Sequence, residues 1–203
     1  MFSGYPESLK RKPPSWGLAA FCDLSWRRHP LLKAESKKVI LVGGKEMFVK
    51  IFTDGAARGN PDGPGGYGCV LHYTDAKGEL HEKRLSKGYV RTTNNRMELM
   101  AAIAGFEALK CPCKVELYSD SKYLVDAFNQ HWIDGWLKKG WKRGKNEPVK
   151  NTDLWKRLLK AKEPHKVTFI WVKGHDGHEM NELCDFLATT AADGIDLSVD
   201  EGI

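Results

Sequence analysis

The run Phe48-Val49-Lys50-Ile51-Phe52-Thr53 alternates in polarity and stops at Asp54-Gly55, a turn signal. Alternation of that kind marks a β-strand with one covered face, so the segment predicts a strand that carries an aspartate to its end. Working outward, a glycine-rich connection from Gly59 to Gly68 leads to a second strand at Cys69-Val70-Leu71-His72-Tyr73, and a third spans Leu80 to Tyr89. The three read as an antiparallel meander.

Further on, the period changes. Met97, Met100, Ala101, Ala104, Ala108 and Leu109 recur at helical spacing behind the capping candidates Asn94 and Asn95. Val115-Glu116-Leu117-Tyr118 is strand-like, Tyr123, Leu124, Ala127 and Phe128 suit a short helix after Asp120, and Leu154, Trp155, Leu158 and Leu159 suit another. Val167 to Val172 is the most β-rich run, and Leu183, Leu187, Ala188, Ala191 and Ala192 mark a final helix. Three strands, helix, strand, helices, strand and helix predict an α/β protein with a mixed sheet covered by helices.

The 203 residues allow one well-buried core plus an appendage, so one domain is expected. Residues 1–46 mix basic pairs with Pro13-Pro14 and Pro30 and show no sustained period, which reads as an irregular basic extension; only Val39 to Val42 could make a strand. Residues 194–203 read as a short acidic tail. A formal charge of +6 favours a polyanionic partner or an acidic membrane surface. No apolar run reaches the roughly 20 residues of a membrane helix, and Trp16 to Leu24 is broken by Asp23, so a soluble, cytoplasmic chain without a membrane partner is expected. Five cysteines without framework spacing fit a reducing compartment. Cys111 and Cys113 flank Pro112 without a second cysteine pair nearby, which speaks against zinc.

Four acids stand out, and each has an ordinary explanation. Asp54 could be a turn residue, Glu98 the capping-box partner of Asn95, Asp120 the cap of the next helix, and Asp185, four residues after Asn181, a solvent-facing helix residue. Taken together they point elsewhere, because Asp54 and Asp120 both end apolar strands and Glu98 opens a helix that must pack on the sheet. Strand ends are where ligands collect in α/β folds. Clustered carboxylates repel one another unless cations hold them, and hard oxygen ligands favour Mg²⁺ or Mn²⁺; such a cluster suggests phosphoryl transfer.

From Met47 to about Asp193 the chain resembles the ribonuclease HI family, on IFTDGAARGNPDGPGGYG from Ile51, TTNNRMELMAAI from Thr92, YSDSKYL from Tyr118 and WVKGHDGHEMNELCD from Trp171. The resemblance implies a ribonuclease H-like fold, a five-stranded mixed sheet with its first three strands antiparallel and flanked by helices. It implies an endonuclease that cuts the RNA strand of RNA·DNA hybrids with two Mg²⁺ ions, Mn²⁺ being a possible substitute, and leaves a 5′-phosphate and a 3′-hydroxyl. The family's catalytic carboxylates and metal ligands fall on Asp54, Glu98, Asp120 and Asp185, and its catalytic histidine on His175. His175 lies in a glycine-flanked segment suited to proton transfer or product release. The alternative there is a metal-binding His175-x-x-His178 pair; His178 and Asn181 are expected to shape the loop and the helix start.

Telling RNA from DNA needs contacts to 2′-hydroxyls, which amides serve well. By resemblance, Asn60, Asn94 and Asn95 face them, while Arg91, Thr93 and Asn60 match a pocket for a DNA-strand phosphate. Lys122 stands where many relatives carry glutamine and would act as a phosphate-directed point charge. The stretch from His131 to Lys145 interleaves Trp132, Trp136 and Trp141 with Lys138, Lys139, Lys142, Arg143 and Lys145, resembling the family's basic protrusion. Its tryptophans are expected to be mainly structural and its cations to grip phosphate.

Residues 1–46 do not match the amino-terminal hybrid-binding module of some relatives. They could be a disordered arm, a transit peptide, which Glu7, Asp23 and Glu35 count against, or upstream sequence not normally translated. The third is favoured, with Met47 as the natural start, because codons for Gly43-Gly44 can spell a ribosome-binding site. Two rival functions are a non-catalytic hybrid-binding module and an integrase-like strand transferase. The full acid set argues against the first, and TTNNRMEL with the tryptophan-rich protrusion against the second. No obligate protein partner is expected, and the chain reads as a monomer.

Overall fold

A computed structural model describes residues 41–42, 45–59, 63–174 and 176–203. The extension up to residue 40, with the readings that concern it, and the site candidates Asn60 and His175 lie outside the described residues.

In chain order the elements are β1 (Leu41–Val42), β2 (Lys45–Glu46), β3 (Phe48–Ala57), β4 (Gly65–Thr74), β5 (Leu80–Tyr89), α1 (Asn94–Glu107), β6 (Lys114–Ser119) and α2 (Lys122–Asn129). They continue with α3 (Trp132–Lys138), β7 (Lys142–Arg143), β8 (Glu147–Pro148), α4 (Thr152–Lys162), β9 (Lys166–Trp171) and α5 (Glu179–Ala192). The short strands form two antiparallel pairs, β1 with β2 and β7 with β8. The others make one five-stranded mixed sheet in the order β5-β4-β3-β6-β9, antiparallel from β5 to β3 and parallel from β3 to β9. This is the architecture the sequence predicts. Its parallel half requires covered crossovers, and the run from β6 through α2, α3 and α4 to β9 supplies one.

The central strand does not end where the Asp-Gly signal suggests. β3 continues to Ala57, and Asp54 pairs across to Gly68 in mid-ladder. Gly55 is therefore a strand position, and its missing side chain has a packing reason: a Cβ there would sit 2.4 Å from the Glu98 backbone nitrogen. Glycine at this point lets α1 press onto the strand.

The expected glycine-rich connection is likewise partly strand, since β4 begins at Gly65. Consecutive residues of a strand address opposite faces, and here they meet different helices. A Cβ on Gly65 would strike Thr92 and Met97 at the start of α1, whereas one on Gly66 would strike the backbone of Ala188 and Ala192 in α5. At Gly68 the obstacle is the Cys184 carbonyl, 2.1 Å away. A bare seam thus seats α5 close against the sheet.

The core lies mainly between the sheet, α1 and the crossover helices. Ile51, Leu99, Ile103, Val115, Leu117, Leu124, Trp155 and Leu158 are fully buried, and each large aliphatic burial contributes about 1.5–3 kcal/mol. Trp155 donates its indole N–H to the Tyr123 hydroxyl at 3.0 Å, so its one polar atom is satisfied. No helix among the described residues is long and apolar enough to cross a membrane.

Helix ends correct two of the ordinary readings. The cap of α1 is Thr93, not Asn94 or Asn95: Thr93 is extended and its side chain accepts from the Arg96 N–H, while both asparagines are already helical. The cap of α2 is Ser121, whose hydroxyl accepts from the Leu124 N–H; Asp120 and Glu98 are thereby left free of capping duty. Residues 194–203, expected as a tail, dock on the body: Ser198 bridges Tyr89, and Asp200 reaches Arg96.

Candidate active site

Register assembles the acids. β3 and β6 align Thr53 with Ser119, so the next residues, Asp54 and Asp120, stand side by side where β6 ends. Glu98 reaches the same place from α1, which Gly55 admits so closely. One carboxylate oxygen from each of Asp54, Glu98 and Asp120 lies within 4.8 Å of the other two.

Asp54 and Glu98 are buried and Asp120 half-buried. The Gly55 N–H donates to Asp54 Oδ1 at 2.7 Å, and Asn94 Nδ2 donates weakly to Glu98 Oε1 at 3.5 Å. Among the described residues, buried Glu98 Oε2 has no hydrogen-bond partner, a costly state for a carboxylate oxygen. Among the described residues, no lysine or arginine forms an ion pair with Asp54, Glu98 or Asp120.

The electrostatic result is a strong bias toward protonation in the absence of cations. Burial, with help from Asp120 and Asp185 and against the Gly55 N–H, pushes the Asp54 carboxyl up to about 8. Burial and the charges of Asp54 and Asp120 raise Glu98 well above the ordinary carboxylate range. A divalent cation would reverse this bias and give the orphaned oxygen a partner; the donor set, all hard oxygen, fits Mg²⁺ or Mn²⁺.

Asp120 is held from three directions. Its Oδ2 accepts from Asn181 Nδ2 at 3.3 Å, its carbonyl accepts from Trp171 Nε1 at 3.0 Å, and Gly174 lies so near that a Cβ there would be 2.5 Å from Oδ2. Asn181 is buried on α5 one turn before Asp185, and its contact with Asp120 goes beyond the loop-shaping role expected from sequence. The i, i+4 spacing of Asn181 and Asp185 was the available signal. Asp185 is half-buried on α5 and falls outside the tight group of three, yet it faces the site closely enough to raise Asp54.

The remaining candidates surround this cluster unevenly. Asn94 and Asn95 occupy the first turn of α1 behind Thr93, and Arg91 is exposed in the approach to it. Lys122 opens α2 with its ammonium 5.1 Å from the Trp171 ring centre. His178 caps α5 by accepting from the Asn181 N–H, which is the helix-start role expected of it. The protrusion is α3 followed by the β7–β8 hairpin, so its helical spacing holds for Trp132 and Trp136 but not for Trp141, which has a positive φ of 64°. Trp136 packs edge-on against Trp155 at 5.4 Å; Trp132 is exposed, as are Lys138, Lys139 and Lys142.

Asp75, Glu79 and His81 also have metal-ligand proximity. The turn accounts for it, since Asp75 accepts from the N–H groups of Lys77 and Glu79 and pairs with His81. Neither acidic group includes Cys111 or Cys113; the Cys113 thiol instead donates to the Cys111 carbonyl at 3.1 Å.

The RNase H family model matches residues 46–193, most of the chain and all the elements that carry the three-acid cluster. The chain belongs to the RNase H family. Among curated RNase H proteins, that of Lachnoclostridium phytofermentans is 71% identical over 154 residues, 76% of this chain and 98% of its own length. The ribonuclease H of Novosphingobium aromaticivorans is 58% identical over 144 residues, covering 71% of this chain and 96% of its own. Among solved structures, LC9-RNase H1, described as a type 1 RNase H with the type 2 active-site motif, superposes with a TM-score of 0.68 at 32% identity and 74% coverage of each chain. RNase H membership makes this chain an enzyme of the nuclease class, and the five-stranded sheet with its helices is the RNase H fold.

Proposed function

We propose that this RNase H hydrolyses the RNA strand of RNA·DNA hybrids at the Asp54–Glu98–Asp120–Asp185 cluster, leaving a 5′-phosphate and a 3′-hydroxyl. The observation that carries the reading is the set of three mutually close carboxylates which, among the described residues, have no cationic partner and leave one buried oxygen of Glu98 unpartnered. Two Mg²⁺ ions, or Mn²⁺ in their place, would supply an activated water and charge stabilisation at the leaving 3′ oxygen.

Asp54, Glu98 and Asp120 would hold the metals, and Asp185 would complete the set from α5. Asn181 fixes the rotamer of Asp120. His175 moves a proton or helps the product leave. Asn94 and Asn95, with Asn60, read 2′-hydroxyls across the minor groove, and Arg91, Thr93 and Asn60 seat a phosphate of the DNA strand. Lys122 adds a phosphate contact beside Asp120. The exposed Lys138, Lys139 and Lys142 grip phosphates further along the duplex, with Trp132 as the tryptophan best exposed to touch nucleic acid and Trp136 and Trp141 as its packing support. The working form is a cytoplasmic monomer.

The test is direct. Labelled RNA·DNA hybrid, duplex RNA and duplex DNA are incubated with the protein in Mg²⁺ or in EDTA, and product ends are mapped. The expected result is cleavage of the RNA in the hybrid alone, lost in EDTA. Equal cutting of duplex DNA, or hybrid cleavage that persists in EDTA, overturns the proposal.

A further inference from the structure

Arg96 sits two residues before Glu98 on α1 and is almost fully buried. An interior guanidinium needs several acceptors, and two carboxylates from distant parts of the chain provide them. Arg96 Nε and Nη2 donate to the two oxygens of Asp200, each at 2.7 Å, and Nη1 and Nη2 donate to Asp153 at 3.0 and 2.7 Å. These are bidentate pairs, whose geometry fixes orientation as well as distance.

The two partners differ. The Asp153 side chain is half exposed, whereas that of Asp200 is 7% exposed and also accepts from the Thr92 hydroxyl at 2.7 Å. Thr92 is itself fully buried, next to the α1 cap. Two further hydrogen bonds tie the segment to the sheet, from the Ser198 N–H to the Gly88 carbonyl and from the Val90 N–H to the Ser198 carbonyl, both 2.9 Å. Behind Asp200 the chain turns tightly: the Gly202 N–H donates back to its carboxylate at 3.2 Å, and a Cβ on Gly202 would overlap the Arg96 guanidinium. The approach to α1 is therefore gripped on one side by residues 198–202 and pressed on the other against Gly55.

We propose that Asp200 is a positioning residue, which through Arg96 and Thr92 sets the first turns of α1 and hence the placement of Glu98, Asn94 and the Arg91–Thr93 approach. This rests on the reading of Glu98 as a metal ligand and of residues 91–95 as hybrid contacts. A rigid pair of this kind limits the freedom of a ligand that must meet Asp54 and Asp120 within a few ångströms, as supporting partners do at metal sites.

The test uses full-length Asp200→Asn, Asp200→Glu and Thr92→Val, each at a fixed interval below its own Tm. A core variant at the far end of β6 from Asp120, Val115→Ala, calibrates the effect of lost stability alone. The readouts are the Mg²⁺ concentration that gives half-maximal rate, the hybrid KM, and the rise in Tm on adding Mg²⁺ to metal-free protein. Asp200→Asn is expected to raise the first two about tenfold and to shrink the third. Thr92→Val, the milder change, moves them in the same direction, Asp200→Glu restores part of the loss, and Val115→Ala leaves them at wild-type values. An Asp200→Asn protein with lowered Tm but wild-type Mg²⁺ half-saturation and KM overturns the inference. Unimpaired hybrid cleavage by Glu98→Gln would instead remove the metal-ligand reading on which it stands, so the two failures are distinguishable.

Discussion

Asp54, Glu98 and Asp120 share a problem that single residues can be used to probe: packing holds their carboxylates together while no lysine or arginine among the described residues pairs with them. Replacing Asp54 by Asn removes a proposed ligand and a charge together, so cleavage should fall by at least about a hundredfold while hybrid binding, measured in Ca²⁺ or without metal, stays equal or tightens. Asn181 donates to a carboxylate oxygen of Asp120 from α5, and Asn181→Ala should lower the rate or the Mg²⁺ affinity about 10–100-fold, seen in a Mg²⁺ titration. The raised Asp54 carboxyl also couples folding to pH. Its proton is favoured in the fold, from an ordinary 3.8 up to about 8, so its contribution is fully present below about pH 4 and is lost as pH rises through about 8. Thermal melts of metal-free protein should show Tm declining across that window, and the decline should flatten in Asp54→Asn or with saturating Mg²⁺.

At the scale of elements, the glycine seam under α5 is the most sensitive packing feature. Gly68→Ala places a methyl against the Cys184 carbonyl, an overpacking that should cost about 1–3 kcal/mol or more, read from the midpoint of urea unfolding. The same seam explains where sequence reading stopped. Strands with β-branched and aromatic alternation, such as β3 and β9, and helices with apolar periodicity, such as α4 and α5, were legible because side-chain pattern reflects local burial. Gly65 to Gly68 read as a connection because glycine signals turns; only the approach of another backbone, a tertiary fact, makes it strand. Asp54-Gly55 misled for the same reason. The four acids were visible as candidates through strand ends and family resemblance, but the hold of Asn181 on Asp120 and the clamp on Arg96 join residues 61 and 104 positions apart, and no local period encodes such pairs.

Across the whole molecule the excess of positive charge lies mostly in residues 1–46, and the nearly balanced remainder still gathers a local cluster of cations on the protrusion. Lys138, Lys139 and Lys142 are exposed on the protrusion and take no part in the acidic cluster, so the proposed grip and the proposed chemistry can be tested apart. Changing all three to Gln should reduce the slope of log K against log salt by about 0.7–0.9 for each phosphate no longer neutralised, with kcat at saturating hybrid little altered. Fluorescence anisotropy at several salt concentrations checks the slope. The seating of α5 on β3, β4 and β5 has a further consequence, in time. The helix α5 is synthesised after α1–α4, yet it packs on three strands made far earlier. While the ribosome is still translating residues 179–192, those strands lack α5 over one face and Asp54 lacks its neighbour Asp185; if the proposed four-acid reading holds, a nascent chain would leave the hybrids around it uncut until synthesis has passed that helix.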